Sequence, residues 1–414
     1  MKLAIVDPVG NPGGGSRYLG ALVPHLLELR PDLKITFFGN SISIDRERLQ
    51  TEWKEVKIKN LSSLWLSNRP FWNIPGAKQA IKLFQQRICS PLTWIPYFFS
   101  GSVHKELESK IKGFDLAFFP WPFFLTFPKL SCPSVAVFHD FNFKYYFSGQ
   151  GFSPYNLDFL DREIPVWLKN CLPVVSTNFI RSELEKFYPD AVLKTKVIHL
   201  GPMGYSGGFL ALPDRSAARL FLDRRGLPAE YILYPTNISP HKNLGPLYSA
   251  MYLLRQKGWK IPLILAGYGT ENLSGRAHPL GMIRDLERKE ILGLGYVSNE
   301  EIDALIQCAR IVINTSLYEA GNGSGLDAWG KGVPVAMSDI PAFREHVEVQ
   351  GVKAKLFDPR SPQSIADQLE SILKDPDAAE KDAKASLEAI SNWSWKRTAG
   401  LYLQTFEEAM KKHV

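Results

Sequence analysis

Hydrophobic and polar residues alternate along the chain at two scales. Short apolar runs of strand length are separated by longer segments whose apolar residues recur at helical spacing. In the first half the apolar runs are KLAIVD, LKITFFGN, DLAFF, SVAVFHD, PVVSTN and TKVIHLG. In the second half they are YILYPTN, PLILAG, ILGLGYV, RIVINTS and VPVAMSD. Such runs are typical of parallel strands that helices cover on both faces. The pattern predicts an α/β protein with two doubly wound parallel sheets.

The sequence also indicates where the two sheets separate. Residues 201–215 read GPMGYSGGFLALPDR, which is rich in Gly and Pro and has no clear periodicity, so they predict a linker. We expect one Rossmann-like domain over residues 1–205 and a second over residues 206–392, with a cleft between them. Residues 393–414 have apolar positions near helical spacing, and predict a C-terminal helix that packs back across the first domain.

Length and composition fit this organisation and narrow the class of partner. A chain of 414 residues suits two domains, and 45% hydrophobic with 22% charged residues is typical of a globular protein. The net charge is +7, but no dense run of Lys and Arg occurs, so we expect no nucleic-acid partner. A small anionic ligand or a membrane surface is the better match.

The sequence predicts a cytoplasmic protein. The first apolar run has only about five residues before Asp7 and Pro8, too few for a signal peptide, and no apolar run reaches the roughly 18 residues of a membrane span. The four cysteines are widely scattered, so we expect them to be reduced.

Residues 61–130 contain an unusual density of Trp, Phe and Pro among basic residues. One interpretation is a core helix with loops capped by aromatic side chains. The other is a surface that binds an acceptor or lies against the inner face of a membrane.

Four stretches at predicted strand ends could carry chemistry. In PVGNPGGGSRYLGAL, Gly14 and Gly15 could let the backbone and helix amides approach a phosphate or sugar, or could form a plain tight turn. In SVAVFHD, His139 could contact a sugar hydroxyl, or could bond a backbone carbonyl. In YPTNISPHKNL, Lys242 at a helix start could bind a diphosphate, or could be an exposed turn lysine.

The fourth stretch is YEAGNGSGLDAWGKGVPV, residues 318–335, where Glu319 and Asp327 bracket a run of small residues. The loop amides could hold a phosphate at the start of the following helix, while the carboxylates accept hydrogen bonds from hydroxyl groups. The alternative is a pair of solvated acids at helix ends.

Taken together, the order and spacing of these stretches resemble the family 4 group of retaining, nucleotide-sugar-dependent glycosyltransferases with the GT-B fold. The resemblance is strongest over residues 231–345. It implies that the N-terminal domain binds the acceptor and the C-terminal domain the nucleotide sugar. It further implies catalytic roles for His139, Lys242 and Glu319. The donor-binding and nucleotide-binding residues that we expect are Gly14, Gly15, Asn237, Asn243, Ser316, Gly321, Asn322, Gly323, Ser324 and Asp327.

The sequence departs from the family pattern at three positions. The usual EGFG turn is EAGNG, and the second acid of the E-x7-E motif is Asp327, whose oxygens lie roughly 1.5 Å nearer the backbone than those of Glu. The resemblance places Glu319 on the donor sugar and Asp327 near the ribose. Asn237 is neutral where a basic residue is common, so arginine help with the diphosphate is missing or comes from elsewhere.

By this resemblance, the chain is an enzyme that transfers a hexose or deoxyhexose, with retention and without a metal or other cofactor, to a glycan or lipid-linked acceptor. Surface polysaccharide biosynthesis is the expected setting, with peripheral contact to the membrane. The alternatives are a GT-B epimerase or phosphorylase, and a non-catalytic scaffold that binds a nucleotide sugar or glycan. A dehydrogenase is disfavoured, because G-x-G-x-x-G is absent.

Overall fold

The computed structural model describes residues 1–7, 14–39, 56–60, 106–123, 125–146, 154–189, 194–203, 214–274 and 290–412. Most of the aromatic-rich region, residues 61–105, lies outside the described residues, and so does the predicted domain boundary within residues 204–213. The two interpretations of that region therefore stay predictions.

The N-terminal half contains a sheet of seven parallel strands in the order β3-β2-β1-β4-β5-β6-β7. The strands are β1 (Lys2–Asp7), β2 (Lys34–Gly39), β3 (Lys57–Asn60), β4 (Leu116–Phe119), β5 (Ser134–Val137), β6 (Leu172–Val175) and β7 (Lys196–Val197). The central strands β4, β5 and β6 are buried along their whole length, as strands with helices on both faces require.

In the described part of this half, residues 106–111 are helical, and the helices with complete bounds are α1 (Gly14–Leu29), α2 (Phe143–Tyr146), α3 (Pro154–Asn170) and α4 (Asn178–Phe187). Thr177 begins α4 as its N-cap, because its hydroxyl accepts a hydrogen bond from the backbone N–H of Ile180 at 3.2 Å.

The C-terminal half contains a sheet of six parallel strands in the order β10-β9-β8-β11-β12-β13. The strands are β8 (Ile232–Pro235), β9 (Leu263–Ala266), β10 (Ile291–Gly293), β11 (Ile311–Asn314), β12 (Val335–Ser338) and β13 (Lys355–Phe357). The helices that follow α4 are α5 (Arg215–Asp223), α6 (Leu244–Gln256), α7 (Asn299–Cys308), α8 (Gly323–Gly330), α9 (Pro341–Gln350), α10 (Pro362–Lys374), α11 (Pro376–Ser391) and α12 (Trp395–Lys412).

Both sheets reverse their strand order at one place, between β1 and β4 in the first and between β8 and β11 in the second. Doubly wound sheets bind ligands at the carboxyl ends of the strands that flank such a switch point. The loops after β8 and β11 contain Lys242 and Glu319, and the loop after β1 leads into α1.

The last helix crosses back to the first half of the chain. Tyr402 and Phe406 of α12 are buried and pack on Phe118 of β4. Their ring centroids lie 5.5 and 5.3 Å, respectively, from the ring centroid of Phe118. Trp395 donates a hydrogen bond from Nε1 to the carbonyl of Pro202 at 2.8 Å. Through these contacts α12 joins the core of the N-terminal sheet.

The prediction of two doubly wound parallel sheets is confirmed. The hydrophobic pattern did not predict β3 and β13, which lie at one edge of each sheet. Both are short and begin with lysine, as is typical of edge strands, which pair with a neighbouring strand on one side only.

No helix within the described ranges is both long enough and apolar enough to cross a membrane. The three cysteines in those ranges, Cys132, Cys171 and Cys308, are buried free thiols.

Candidate active site

A cleft of about 750 Å³ lies between the two halves of the chain. Its walls come from the loops after β8, β9, β10 and β11 and from Arg17 in the first turn of α1. Six of the predicted site residues line it: Asn237, Lys242, Glu319, Asn322, Gly323 and Ser324.

Lys242 and Glu319 form an ion pair in this cleft between Nζ and Oε1. Lys242 ends the 3₁₀ turn Pro240–Lys242 after β8, and Glu319 lies in the loop after β11. The Ser316 hydroxyl donates a second hydrogen bond to Glu319 Oε1, at 2.7 Å. Each partner of the ion pair is 17% exposed, so a ligand in the cleft can reach both.

Burial disfavours the charged form of both groups, but their mutual attraction outweighs it. The neighbouring carboxylate raises the pKa of Lys242 above its usual value, and the ammonium group lowers the pKa of Glu319. Both groups are therefore charged at neutral pH, as an anion-binding cation and a hydroxyl-binding carboxylate need to be.

Tyr234 of β8 connects the loop that contains Lys242 to the loop that contains Glu319. Its hydroxyl lies 3.1 Å from the Lys242 carbonyl oxygen and 2.9 Å from Ser316 Oγ. Thr315 Oγ1 donates a further hydrogen bond to the Lys242 carbonyl at 3.0 Å. Buried networks of this kind fix side-chain positions, so the ion pair sits on a rigid support.

The EAGNG turn is built around Asn322, which adopts a left-handed conformation with φ of 41°. Asn322 Oδ1 accepts hydrogen bonds at 3.2 Å from the Gly325 backbone N–H and from Asn314 Nδ2. A Cβ on Gly325 would lie 2.3 Å from Asn322 Nδ2, so this cap needs glycine there. The turn thereby presents Gly323 and Ser324, the first residues of α8, to the cleft.

Asp327 lies one turn further along α8 and contacts the N-terminal half of the chain. One carboxylate oxygen pairs with Arg17 Nη2, and the other accepts a hydrogen bond from the Met203 backbone N–H at 2.7 Å. Its side chain is 3% exposed. The ribose contact remains a prediction, and in this structure both oxygens already have protein partners.

His139 follows β5 and adopts the second arrangement that the sequence left open, a bond to a backbone carbonyl. Its Nε2 lies 2.8 Å from the Pro120 carbonyl oxygen, and its ring stacks on Trp121 with centroids 5.0 Å apart. Burial lowers the pKa of His139 to about 4. The imidazole is thus neutral at pH 7, and with Nε2–H donated, Nδ1 carries the lone pair.

The loop after β5 meets the Glu319 loop directly. The backbone N–H of Phe141 donates a hydrogen bond to the Tyr318 hydroxyl at 3.1 Å. Burial raises the pKa of Asp140 to about 6, and the Glu319 carboxylate adds to the rise while Lys242 opposes it. The fold therefore brings Asp140, from the loop after β5, beside Lys242 and Glu319, and His139 directly precedes it in the chain.

The remaining predicted residues lie around the cleft rather than on its described walls. Gly14 and Gly15 begin α1. Asn243 has φ of 58° and donates from Nδ2 to the Pro359 carbonyl at 2.7 Å. Ser316 lies behind Glu319, and a Cβ on Gly321 would lie 3.3 Å from Leu200. Asn243, Ser316 and Gly321 thus shape the site or join its loops.

The cleft residues that were not found from the sequence include three with cationic or aromatic side chains. Arg17 lies two positions after the glycine run, and Tyr268 and Tyr296 follow β9 and β10 beside glycines. Tyr268 is 76% exposed and Tyr296 61% exposed, so both offer aromatic faces to a ligand. For Tyr268 and Tyr296, the sequence signal that could have found them is a tyrosine next to a glycine at the end of a predicted strand. In the part of the chain that the structure describes, no three His, Cys, Asp or Glu residues group as metal ligands.

Comparison with known families matches residues 229–375 to the model described as "Glycosyl transferases group 1". The match covers about a third of the chain, and contains Lys242, Glu319 and Asp327.

Among characterised proteins, the chain is similar to mannosyltransferases of Escherichia coli. It is 28% identical to the serotype-specific mannosyltransferase WbdA over 209 residues, which cover 50% of this chain and 25% of WbdA. It is 31% identical to O-antigen chain mannosyltransferase B over 172 residues, which cover 40% of this chain and 42% of that protein. The chain thus spans less than half the length of either relative.

Solved structures are similar over the entire chain. The Anabaena protein Alr3699/HepE, solved in complex with UDP and glucose, superposes with a TM-score of 0.66 at 18% identity, covering 99% of this chain and 100% of that one. Sucrose-phosphate synthase from Thermosynechococcus elongatus superposes with a TM-score of 0.71 at 15% identity, covering 100% of both chains. The chain therefore has the GT-B fold, and its residues 229–375 match group 1 glycosyl transferases.

Proposed function

We propose that this protein is a retaining, metal-independent glycosyltransferase. It transfers a hexose or deoxyhexose from a nucleoside-diphosphate sugar to a glycan or lipid-linked acceptor in surface polysaccharide biosynthesis. The GT-B fold and the match to group 1 glycosyl transferases support a glycosyltransferase, and the similarity to O-antigen mannosyltransferases supports the setting.

The observation that carries the proposal is the Lys242–Glu319 ion pair in the cleft between the two sheets. A diphosphate leaving group needs a cation, and sugar hydroxyls need a charged acceptor, so the pair supplies both groups on one rigid support. The amides of Gly323 and Ser324 at the start of α8 add a positive helix end. Tyr268 and Tyr296 offer rings for a nucleobase.

In the proposed reaction, the acceptor hydroxyl attacks the anomeric carbon from the face that the diphosphate leaves. The bond between that carbon and the diphosphate oxygen breaks as the new glycosidic bond forms, and a phosphate oxygen takes the hydroxyl proton. Lys242 and the α8 amides stabilise the charge that develops on the diphosphate. Neutral His139 holds a sugar hydroxyl, and Glu319 orients the donor sugar.

Substitution of the ion pair tests this assignment. Lys242→Ala and Glu319→Ala are each expected to lower the turnover number for sugar transfer by about 100-fold or more, since removal of one transition-state stabilising group typically costs this much. Release of nucleoside diphosphate, formation of glycoside and donor binding are measured separately. NMR of the product gives the anomeric configuration.

Lys257→Ala is the matched control, because Lys257 pairs with Asp367 and Glu370 on the surface of the same domain. It is expected to keep wild-type turnover. Wild-type turnover in both cleft variants would refute the site, and inversion at the anomeric carbon would refute the retaining mechanism.

A further inference from the structure

Arg17 and Asp327 form an ion pair that joins the two halves of the chain at the edge of the cleft. Arg17 lies in the first turn of α1, after the glycine run, and Asp327 lies on α8. The two side chains differ in exposure: Arg17 is 21% exposed and lines the cleft, whereas Asp327 is 3% exposed and is not one of the lining residues. The arginine is therefore the partner that a ligand in the cleft would meet.

Asp327 is held in place independently of Arg17. Its second oxygen accepts the hydrogen bond from the Met203 backbone N–H at 2.7 Å. A buried carboxylate that is fixed by a backbone donor can orient a guanidinium group without moving itself. A guanidinium has five N–H donors in a planar fork, so arginine can contact a carboxylate along one edge and a phosphate along another.

The cleft needs a second cation if it binds a diphosphate. Among its described lining residues, the cationic side chains are Lys242 and Arg17, and Asn237 is neutral. A nucleoside diphosphate carries at least two negative charges at pH 7, whereas Lys242 is a single point charge that also pairs with Glu319. Arg17 is the cationic lining residue that the N-terminal half of the chain contributes.

We propose that Arg17 binds the diphosphate of the donor from the N-terminal half, and that Asp327 is the positioning residue that aims it. This inference rests on the proposed function, which places a nucleoside diphosphate in the cleft. Asp327 thereby connects donor binding to the contact between the two sheets. A diphosphate that bridges Lys242 and Arg17 holds the two walls of the cleft together.

Isothermal titration with UDP, UMP, GDP, GMP, dTDP and dTMP tests the proposal on the full chain. For the base that the wild-type protein binds, Arg17→Ala is expected to weaken the diphosphate at least tenfold and the monophosphate less than threefold. Arg17→Lys keeps the charge but loses the fork, so an intermediate loss is expected. Thermal unfolding of each variant shows whether the fold is retained.

The matched control is Arg30→Ala. Arg30 directly follows α1 and pairs with Glu407 of α12 at 2.9 Å, away from the cleft. It is expected to bind the nucleotides within twofold of wild type. The double variant Arg17→Ala with Asp327→Asn is expected to bind the diphosphate no more weakly than Arg17→Ala alone, because a positioning residue acts through its arginine.

Equal losses for diphosphate and monophosphate in Arg17→Ala and Arg17→Lys, in parallel with their loss of thermal stability, would overturn the proposal and leave a purely structural ion pair. Unchanged diphosphate affinity in Arg17→Ala would also overturn it, while the proposed function would stand. A wild-type protein that binds none of UDP, GDP and dTDP at millimolar concentration would instead contradict the proposed function itself.

Discussion

At the scale of single residues, Asp140 shows how burial raises the pKa of a carboxyl group. Burial raises its pKa to about 6, and Glu319 contributes to the rise. The unfolded chain, with a pKa near 4, releases this proton earlier than the folded protein as the pH rises. Between about pH 4 and pH 6 the raised pKa thus costs the folded state stability, and the cost is complete at neutral pH.

Asp140→Asn is expected to remove this cost. Asn retains an oxygen that can accept the hydrogen bond from the Asn142 backbone N–H, which Asp140 accepts at 3.1 Å. The variant is therefore expected to melt at a higher temperature than wild type at pH 7 and at nearly the same temperature at pH 4. Thermal unfolding of both proteins between pH 4 and pH 7 measures the difference. A difference that is constant over this range would contradict the assigned pKa.

Single-residue chemistry was partly predictable from the sequence. Lys242 and Glu319 were found because each follows a strongly apolar run that ends in a loop. Arg17 was not found, because its position in the cleft depends on Asp327, 310 positions away in the chain. The bond from His139 to the Pro120 carbonyl was one of two stated alternatives, and only the packing of β5 beside the chain that follows β4 selects it.

At the scale of helices and strands, the last helix shows how a distant segment completes a core. Phe406 of α12 is fully buried, with its ring 5.3 Å from Phe118 and 5.9 Å from Tyr402. Phe406→Ala is expected to lower the free energy of unfolding by about 3–5 kcal/mol, the usual cost of a large cavity in a core. Denaturant unfolding of the full chain measures this loss.

Gln404→Ala on the exposed face of the same helix is the control, with an expected change within about 0.5 kcal/mol. Equal stabilities of the two variants would show that α12 does not stabilise the fold through this contact.

The hydrophobic pattern predicted the buried strands and not the edge strands. β4, β5 and β6 are apolar over their length because helices cover both faces. In contrast, β3 reads KIKN, where two exposed lysines flank the partly buried Ile58. That pattern resembles a loop until the neighbouring strand β2 is present to pair with it.

At the scale of the whole molecule, direct contacts fix the two halves of the chain against each other. Glu345 of α9 accepts hydrogen bonds from the backbone N–H groups of Asn178 and Phe179 at the start of α4, at 2.6 and 2.9 Å. It also contacts His199 Nε2 at 2.6 Å. A carboxylate at a helix N-terminus is stabilising, so this contact stabilises the junction between α9 of the C-terminal half and α4 of the N-terminal half.

The sequence predicted two sheets and a cleft, but not how one sheet faces the other. Strand runs are local signals, whereas the junction consists of pairs such as Arg17 with Asp327 and Asn178 with Glu345, whose partners are far apart in sequence. A single sequence carries no signal that links such partners. The composition of the cleft could therefore be predicted only in part.

The central claim is that the Lys242–Glu319 cleft binds a nucleoside-diphosphate sugar, and thermal unfolding with a panel of UDP, GDP, dTDP and CMP sugars tests it most directly. At 100 times its dissociation constant, a ligand specific for the folded state stabilises it by about 2.7 kcal/mol. We expect diphosphate sugars of one base to raise the melting temperature of wild type and to have little effect on Lys242→Ala. If no sugar of the panel shifts the wild-type protein at millimolar concentration, or if Lys242→Ala shifts equally, the account is contradicted.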